Sequence, residues 1–283
     1  MFYNKKSTRR KVIKAGMTTL AALTGYSKDI FASKKAPGEV RVIFLVGDYW
    51  HNPITQEKNW RHVLGPAGWR LMFAQGAQFI TPEVLAQADL LVVSRYAKTN
   101  SLGYAPDRIV EGRPDEVTLL TDEREKAIIK NVNRGMGLLA MHCAIWNGER
   151  KNFMELLGVE KPYMHTKVQP AYLHNLNQNH PITKGIEPSN LGEDEIFYAD
   201  LKADRTTPLF NLKGEEQPID RTGGWCLDVG KGRVVALLPG HNPHPFHQKT
   251  FKEIMWRSAH WAMNKDIPQA DLQNGRPPER SIY

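Results

Sequence analysis

Hydrophobic residues in this chain fall into short blocks, and the spacing within the blocks changes from one to the next. Val40 to Val46 is nearly continuous apolar sequence that stops at Gly47-Asp48, the pattern of a strand covered on both faces that opens into a loop. Helical spacing follows from Gln56 to Leu64, then a strand from Trp69 to Ala74, a short helix after Thr81 with Pro82 at its first position, and a strand from Asp89 to Ser94. Thr121-Asp122-Glu123 supplies a capping hydroxyl and first-turn acids for a helix that carries Ala127, Ile128 and Val132 inside and stops at Gly135. Gly137 to Met141 is the next buried strand. Strand and helix in alternation predict parallel βαβ units.

Beyond residue 165 the pattern turns strand-like, through Val168 to Leu173, Ile196 to Leu201, Trp225 to Val229 and Arg233 to Leu238, and a helix from Gln248 to Met263 closes the domain. The expected fold is therefore α/β, a mostly parallel doubly wound sheet with strands added in the C-terminal half. Between Arg95 and Leu120 lies a segment rich in Gly, Pro, Asn and Asp, too long for an ordinary connection and placed after a strand's carboxyl end. It reads as a lid or binding loop. Phe251, Trp256 and Trp261 share helical spacing in the closing segment and are expected in the core.

The N-terminus follows a different rule. Ser7-Thr8-Arg9-Arg10-Lys11-Val12-Ile13-Lys14 places a twin arginine ahead of a weakly apolar stretch, Ala15 to Tyr26, which is too short to span a membrane. This is the pattern of a Tat export signal, so residues 1–32 are expected to be an address for the Tat translocon and the protein periplasmic or otherwise exported. Ile30-Phe31-Ala32 is the best cleavage candidate, residues 33–265 form the expected domain, and 266–283 a tail. The full chain has 38 Lys and Arg against 30 Asp and Glu, but seven basic residues and only Asp29 fall in 1–32, leaving a nearly neutral remainder. The basic balance is thus a property of the signal, and no nucleic-acid partner is expected. Two cysteines, Cys143 and Cys226, cannot make a disulfide framework.

In an open α/β sheet a ligand sits beyond the carboxyl ends of the strands. Polar residues that directly follow apolar runs are Asp48 and His51 after the first strand, His142 after Leu138 to Met141, and His241 after Val235 to Gly240, while Glu195 stands just ahead of Ile196-Phe197-Tyr198. His142, Glu195 and His241, with His51 as a further donor, would suit a divalent metal, zinc first, with one position left open. No local metal-binding spacing supports that set, and the same residues also suit metal-free acid/base work or simple hydrogen bonding at strand ends. Trp50, Tyr96, Trp146 and Tyr198, with Tyr49, flank the expected pocket and could stack on the C–H faces of a sugar, with Asp48 bonding hydroxyls. His180 before Pro181 reads as structural, His165 and His174 have no assigned role, and His244 and His247 belong to a Pro-rich loop near the site.

Ordered motifs from Val40 to Ala262 resemble the trehalose-utilisation, ThuA-like family: Gly135 to His142, Phe153 to Gly158, His180 to Gly185, Asp194 to Tyr198, Gly224-Trp225 with Gly230 to Val234, and Pro239 to Asn242. The resemblance implies a fold like that of class I glutamine amidotransferases, which is flavodoxin-like, and a role in carbohydrate catabolism on 3-keto glycosides or disaccharides. It carries over His142 and His241 most directly, then Glu195. No nucleotide cofactor is expected, and assembly into a homo-oligomer is left open. The amidotransferase elbow, Gly-x-Cys-x-Gly, is not kept: His142-Cys143-Ala144 lacks the second glycine, and His241-Asn242-Pro243 lacks the acid that follows the histidine. A cysteine-dependent hydrolase using Cys143 and a non-catalytic periplasmic sugar-binding protein are the two alternatives to a metal-assisted or acid/base sugar enzyme.

Overall fold

The structure is a computed structural model that describes residues 33–48, 50–76, 79–96, 120–145, 150–163, 165–216 and 220–269. Residues 1–32, on which the expected export signal falls, Tyr49, nearly all of the long 95–120 segment, Trp146 and the end of the tail lie outside the described residues.

Nine strands form one sheet. β1 (Arg41–Val46), β2 (Arg70–Ala74), β3 (Leu90–Ser94) and β4 (Gly137–Met141) are joined by α1 (Pro53–Leu64), α2 (Pro82–Leu85) and α3 (Asp122–Arg134). The second half contributes α4 (Lys151–Leu156), β5 (Val159–Pro162), β6 (Gln169–His174), β7 (Ser189–Asp194), β8 (Ala199–Leu201), β9 (Thr207–Gly214), β10 (Asp220–Val229), β11 (Gly232–Leu237), α5 (His244–His247) and α6 (Lys249–Ala262). The sheet order is β2-β1-β3-β4-β11-β10-β9-β6-β7, with β5 and β8 in a separate ribbon. β2, β1, β3, β4 and β11 are mutually parallel, and β11-β10-β9-β6-β7 is antiparallel throughout. The parallel part has the flavodoxin-like order in which a ligand sits where the chain reverses direction across the sheet, between β1 and β3.

Each parallel strand is apolar because both its faces are covered. β1, β3 and β4 are buried along their whole length. α6 lays Phe251, Ile254, Met255, Ala259 and Ala262 into the core, and full burial of a Phe, Ile or Met side chain contributes about 1.5–3 kcal/mol. Trp256 is buried with them, whereas Trp261 is half-buried under the Arg233 guanidinium. Helix starts follow local chemistry: Asn52 Oδ1 accepts from the amides of Ile54 and Thr55 at 2.9 and 3.2 Å, and Thr121 Oγ1 accepts from Arg124 N. Among the described residues, no helix is long and apolar enough to cross a membrane.

The antiparallel half departs most from the sequence expectation. Ile196 to Leu201 is not one strand: only Ala199–Leu201 is extended and paired, and it joins β5 rather than the main sheet. Ile196 and Phe197 are instead buried in the loop that leaves β7, so an apolar run that looks like a strand is a piece of core carried by a turn. β7, with the sequence Ser-Asn-Leu-Gly-Glu-Asp, has too few apolar residues to signal a strand, and it forms because β6 offers it a ladder from Gln169 to Leu173.

Candidate functional site

Three parallel strands and one antiparallel strand deliver their ends to one place. β1 ends in Gly47-Asp48 and places His51, β4 ends in His142, β11 leads through Leu238 to His241, and β7 ends at Asp194 with Glu195 next. Gly47 has φ +78°, and a Cβ there would lie 2.6 Å from Pro53 Cβ, so this turn can bring Asp48 back toward the start of α1 only with glycine.

Asp48 is the anchor of the first cluster. Its buried carboxylate accepts the backbone amides of Trp50 (2.9 Å), His51 (3.0 Å) and Tyr96 (2.6 Å), and both oxygens face His51 Nδ1 at 2.7 and 2.8 Å. Burial works to raise the Asp48 pKa, but the His51 ring and the backbone donors outweigh it and hold the group far below the usual carboxylate range. His51 is buried too, which opposes its charge. The negative charges that Cys143 and Asp48 can carry prevail, and its pKa lies well above the ordinary imidazole value. Its Nε2 meets His241 Nδ1 at 3.2 Å.

His142 has φ 51°, a left-handed backbone that a side-chain-bearing residue seldom adopts, at the turn between β4 and a short 3-10 segment. This is the strained strand-to-helix elbow that presents a nucleophile in hydrolases, and here it presents an imidazole. Nδ1 lies 3.0 Å from the Leu238 carbonyl and must donate to it, so in the neutral ring Nε2 is a bare lone pair. That Nε2 is buried without a hydrogen-bond partner among the described residues and stands 3.6 Å from Glu195 Oε2. The same Glu195 oxygen is 3.2 Å from His241 Nδ1. Burial pushes the His241 pKa down to about 3, with the His142 ring adding to the effect, so this ring is a neutral donor of an electron pair. Burial also acts to raise Glu195, but His142, His241 and His165 together keep it below its usual value and ionised.

Three groups that can each offer an electron pair once their imidazole protons are displaced thus face one another. His142, Glu195 and His241 each offer an atom within 4.8 Å of the others, as do His51, His142 and Cys143. Tetrahedral zinc bound at its usual 2.0–2.1 Å to nitrogen sets its donors about 3.3 Å apart, close to the spacings at Glu195 Oε2. The Leu238 carbonyl that fixes His142, and the Asp48 carboxylate behind His51, are the kind of outer partners that orient metal-binding imidazoles. The donor set fits a divalent cation.

Two residues with no sequence-derived role complete the arrangement. Asp194 is buried and accepts from the backbone amides of Gly240 (2.7 Å) and Asn242 (2.8 Å), the residues on either side of His241. It staples the end of β7 to the loop after β11 and so sets Glu195 and His241 in register; its burial raises its pKa to about 6, against the pull of His142 and those two amides. His165 stands 3.3 Å from Glu195 Oε1 and rests on Phe197, whose other contact is His142. The signals available for Asp194 were its place beside Glu195 and its position at the head of the motif Asp194 to Tyr198.

The remaining expectations separate. Cys143 is buried, 3.7 Å from His51 Nδ1, and its burial raises the thiol pKa despite that ring; it is the residue after the elbow, not the elbow itself. Cys226 is also free and buried, beside His180 Nε2 at 3.4 Å, while His180 Nδ1 accepts the Ile182 amide, a structural role. Trp50 is 43% exposed and meets Tyr96 edge-on at 5.8 Å, beside the Asp48 anchor. Tyr198 stacks on Tyr163 at 5.2 Å, a pairing within the β5 and β8 region. His174 pairs with Asp220 and His244 lies against the Glu193 carbonyl, so neither joins the cluster through those contacts.

Fold and site together define an α/β protein with a flavodoxin-like parallel core and a histidine at the strained turn that ends β4. Residues 41–262 match the model of the family described as ThuA, trehalose utilisation, and the chain belongs to that family. Among solved structures it is similar to a ThuA-like protein from Bacteroides uniformis (TM-score 0.63, 15% identity, covering 87% of this chain and 98% of the other). A ThuA-like protein from Parabacteroides merdae is similar to the same degree (TM-score 0.63, 14% identity, 82% and 93% covered). A cytoplasmic protein from Salmonella typhimurium LT2 is also similar (TM-score 0.53, 14% identity, 79% and 99% covered). At these identities the likeness is one of fold. No curated protein matches the sequence.

Proposed function

We propose that this ThuA-family chain is an exported carbohydrate enzyme that works on a 3-keto glycoside or disaccharide with a divalent metal, zinc first, held by His142, Glu195 and His241. The observation that carries the reading is the buried, unpartnered Nε2 of His142 facing an ionised Glu195 oxygen and a neutral His241. Two acceptors 3.6 Å apart and shielded from water repel unless a proton or a metal cation lies between them. A metal there would supply Lewis acidity to a carbonyl oxygen of the sugar.

The chain's own residues supply the rest. A 3-keto group acidifies the neighbouring C–H, and the Asp48–His51 pair, whose raised imidazole pKa favours the protonated ring, is suited to giving a proton: Asp48 holds Nδ1–H, and Nε2 points toward His241. Trp50, exposed at the rim and braced by Tyr96, offers a face for the sugar ring. Cys143 supports a nucleophile role poorly, since burial raises its pKa and it follows the elbow residue instead of occupying that position. Arg9-Arg10 and the weakly apolar run behind them support export by the Tat route.

Elemental analysis of the purified protein, beside His142→Ala and His241→Ala, tests the reading together with an assay on a 3-keto disaccharide. Stoichiometric metal in the wild type, lost in both variants along with turnover, is expected. Metal-free wild type after metal-replete preparation overturns the metal assignment, and metal-bound protein that binds but does not convert the sugar overturns the enzyme assignment. An Arg9→Lys, Arg10→Lys double variant is expected to remain in the cytoplasm.

A further inference from the structure

Building on the proposed metal centre, we infer that His165 is its positioning residue: it engages Glu195 Oε1, so that Oε2 alone faces His142 and His241. The loop that carries His165 is fixed beside Glu195 by two hydrogen bonds, from Thr166 N to the Ile196 carbonyl and from Ile196 N to Thr166 Oγ1, both 3.1 Å. Thr166 is buried, so this crossing point is part of the core and not a surface accident.

The His165 ring has one readable tautomer. Nδ1 lies 2.6 Å from the Thr166 carbonyl and 3.3 Å from Glu195 Oε1. Both partners are acceptors, so Nδ1 carries a proton; it is hydrogen-bonded to the Thr166 carbonyl, with Glu195 Oε1 within ion-pair reach of the same nitrogen. Glu195 is thereby divided: Oε1 faces His165, while Oε2 stands 3.2 Å from His241 Nδ1 and 3.6 Å from His142 Nε2. A carboxylate held in this way binds a cation through a single oxygen and leaves a position for substrate. Phe197 backs both rings, with centroids 5.0 Å from His165 and 4.6 Å from His142, which keeps the two imidazoles apart on either side of Glu195.

Substitutions at this position separate the donor from the ring. In asparagine the side-chain amide nitrogen occupies the same bonded position as histidine Nδ1, whereas in glutamine it occupies that of Nε2. Zinc affinity by competition with a chelator, the visible spectrum of the cobalt-loaded protein and thermal unfolding of each metal-free variant make the test. His165→Ala and His165→Gln are expected to weaken zinc binding roughly ten- to hundredfold and to change the cobalt spectrum, with His165→Asn close to wild type in both. His165 is partly exposed, and unfolding of the metal-free variants is expected to track the wild type. Equal affinity and spectra across all four proteins overturns the inference while leaving the metal centre standing, as does equal weakening in all three variants. A wild-type protein that binds neither ion overturns the centre and this inference together.

Discussion

The parallel and antiparallel halves of the sheet contribute to the site in different ways. β1, β4 and β11 run in the same direction, so their carboxyl ends lie side by side, and any polar residue that ends one of those apolar runs arrives with the others: Asp48, His51, His142 and His241. β6, β7, β9 and β10 alternate in direction, and nothing in their own pairing says which end will return to the parallel edge. The return is made by specific hydrogen bonds, Asp194 to Gly240 and Asn242 and Thr166 to Ile196. Topology alone places one half of the site, and a few polar contacts place the other.

Breaking the Asp194 staple is expected to have the largest effect. In Asp194→Asn the amide can accept from only one of the two backbone donors and turns an NH2 toward the other, a loss of about 2–3 kcal/mol. Urea denaturation should show that loss and zinc titration should show loss of metal. An Asp194→Asn protein that keeps both full stability and zinc would refute the staple. Gly240 tests the same junction from the β11 side: it has φ +137°, and an added Cβ would lie 2.9 Å from Met141 Cε. Gly240→Ala is expected to cost roughly 1–3 kcal/mol and to displace His241, measurable as weaker zinc binding.

Each half also holds a histidine, one buried and one half-buried, that prefers to be neutral, which makes the comparison accessible to pH. His260, between Trp69 and Trp256, and His180, beside Cys226 and Trp261, both have pKa values lowered first by burial. The unfolded chain therefore binds more protons than the folded one as pH falls below about 6.5, and stability present above that pH is lost progressively toward acid. Urea denaturation of the metal-free protein from pH 8 to pH 5 should show the decline, and His260→Phe and His180→Asn should each flatten it. A slope unchanged in both variants would assign the acid sensitivity elsewhere. The smallest effect on the fold is expected at the rim: Trp50→Ala should change stability by less than about 0.5 kcal/mol while weakening sugar binding, as read by calorimetry.

Much of the parallel half could be read from residues alone. Asn52 and Thr121 set helix starts, Gly135 sets a stop, and runs such as Leu138 to Met141 mark strands covered on both faces, because capping and burial are local or nearly local causes. The same logic pointed to Asp48, His142 and His241, which the structure brings together at the strand ends, and the twin-arginine pattern expected to be an export signal is linear by nature. The sequence did not determine that Ile196 and Phe197 are core without being strand, that Ser189 to Asp194 is a strand without looking like one, or that His165 and Asp194 serve Glu195. Those outcomes depend on what a segment meets after the chain has folded: a free ladder on β6, an oxygen of Glu195, the two amides flanking His241. Such partners are 30 to 50 residues away along the chain, and only tertiary structure supplies the distance between them.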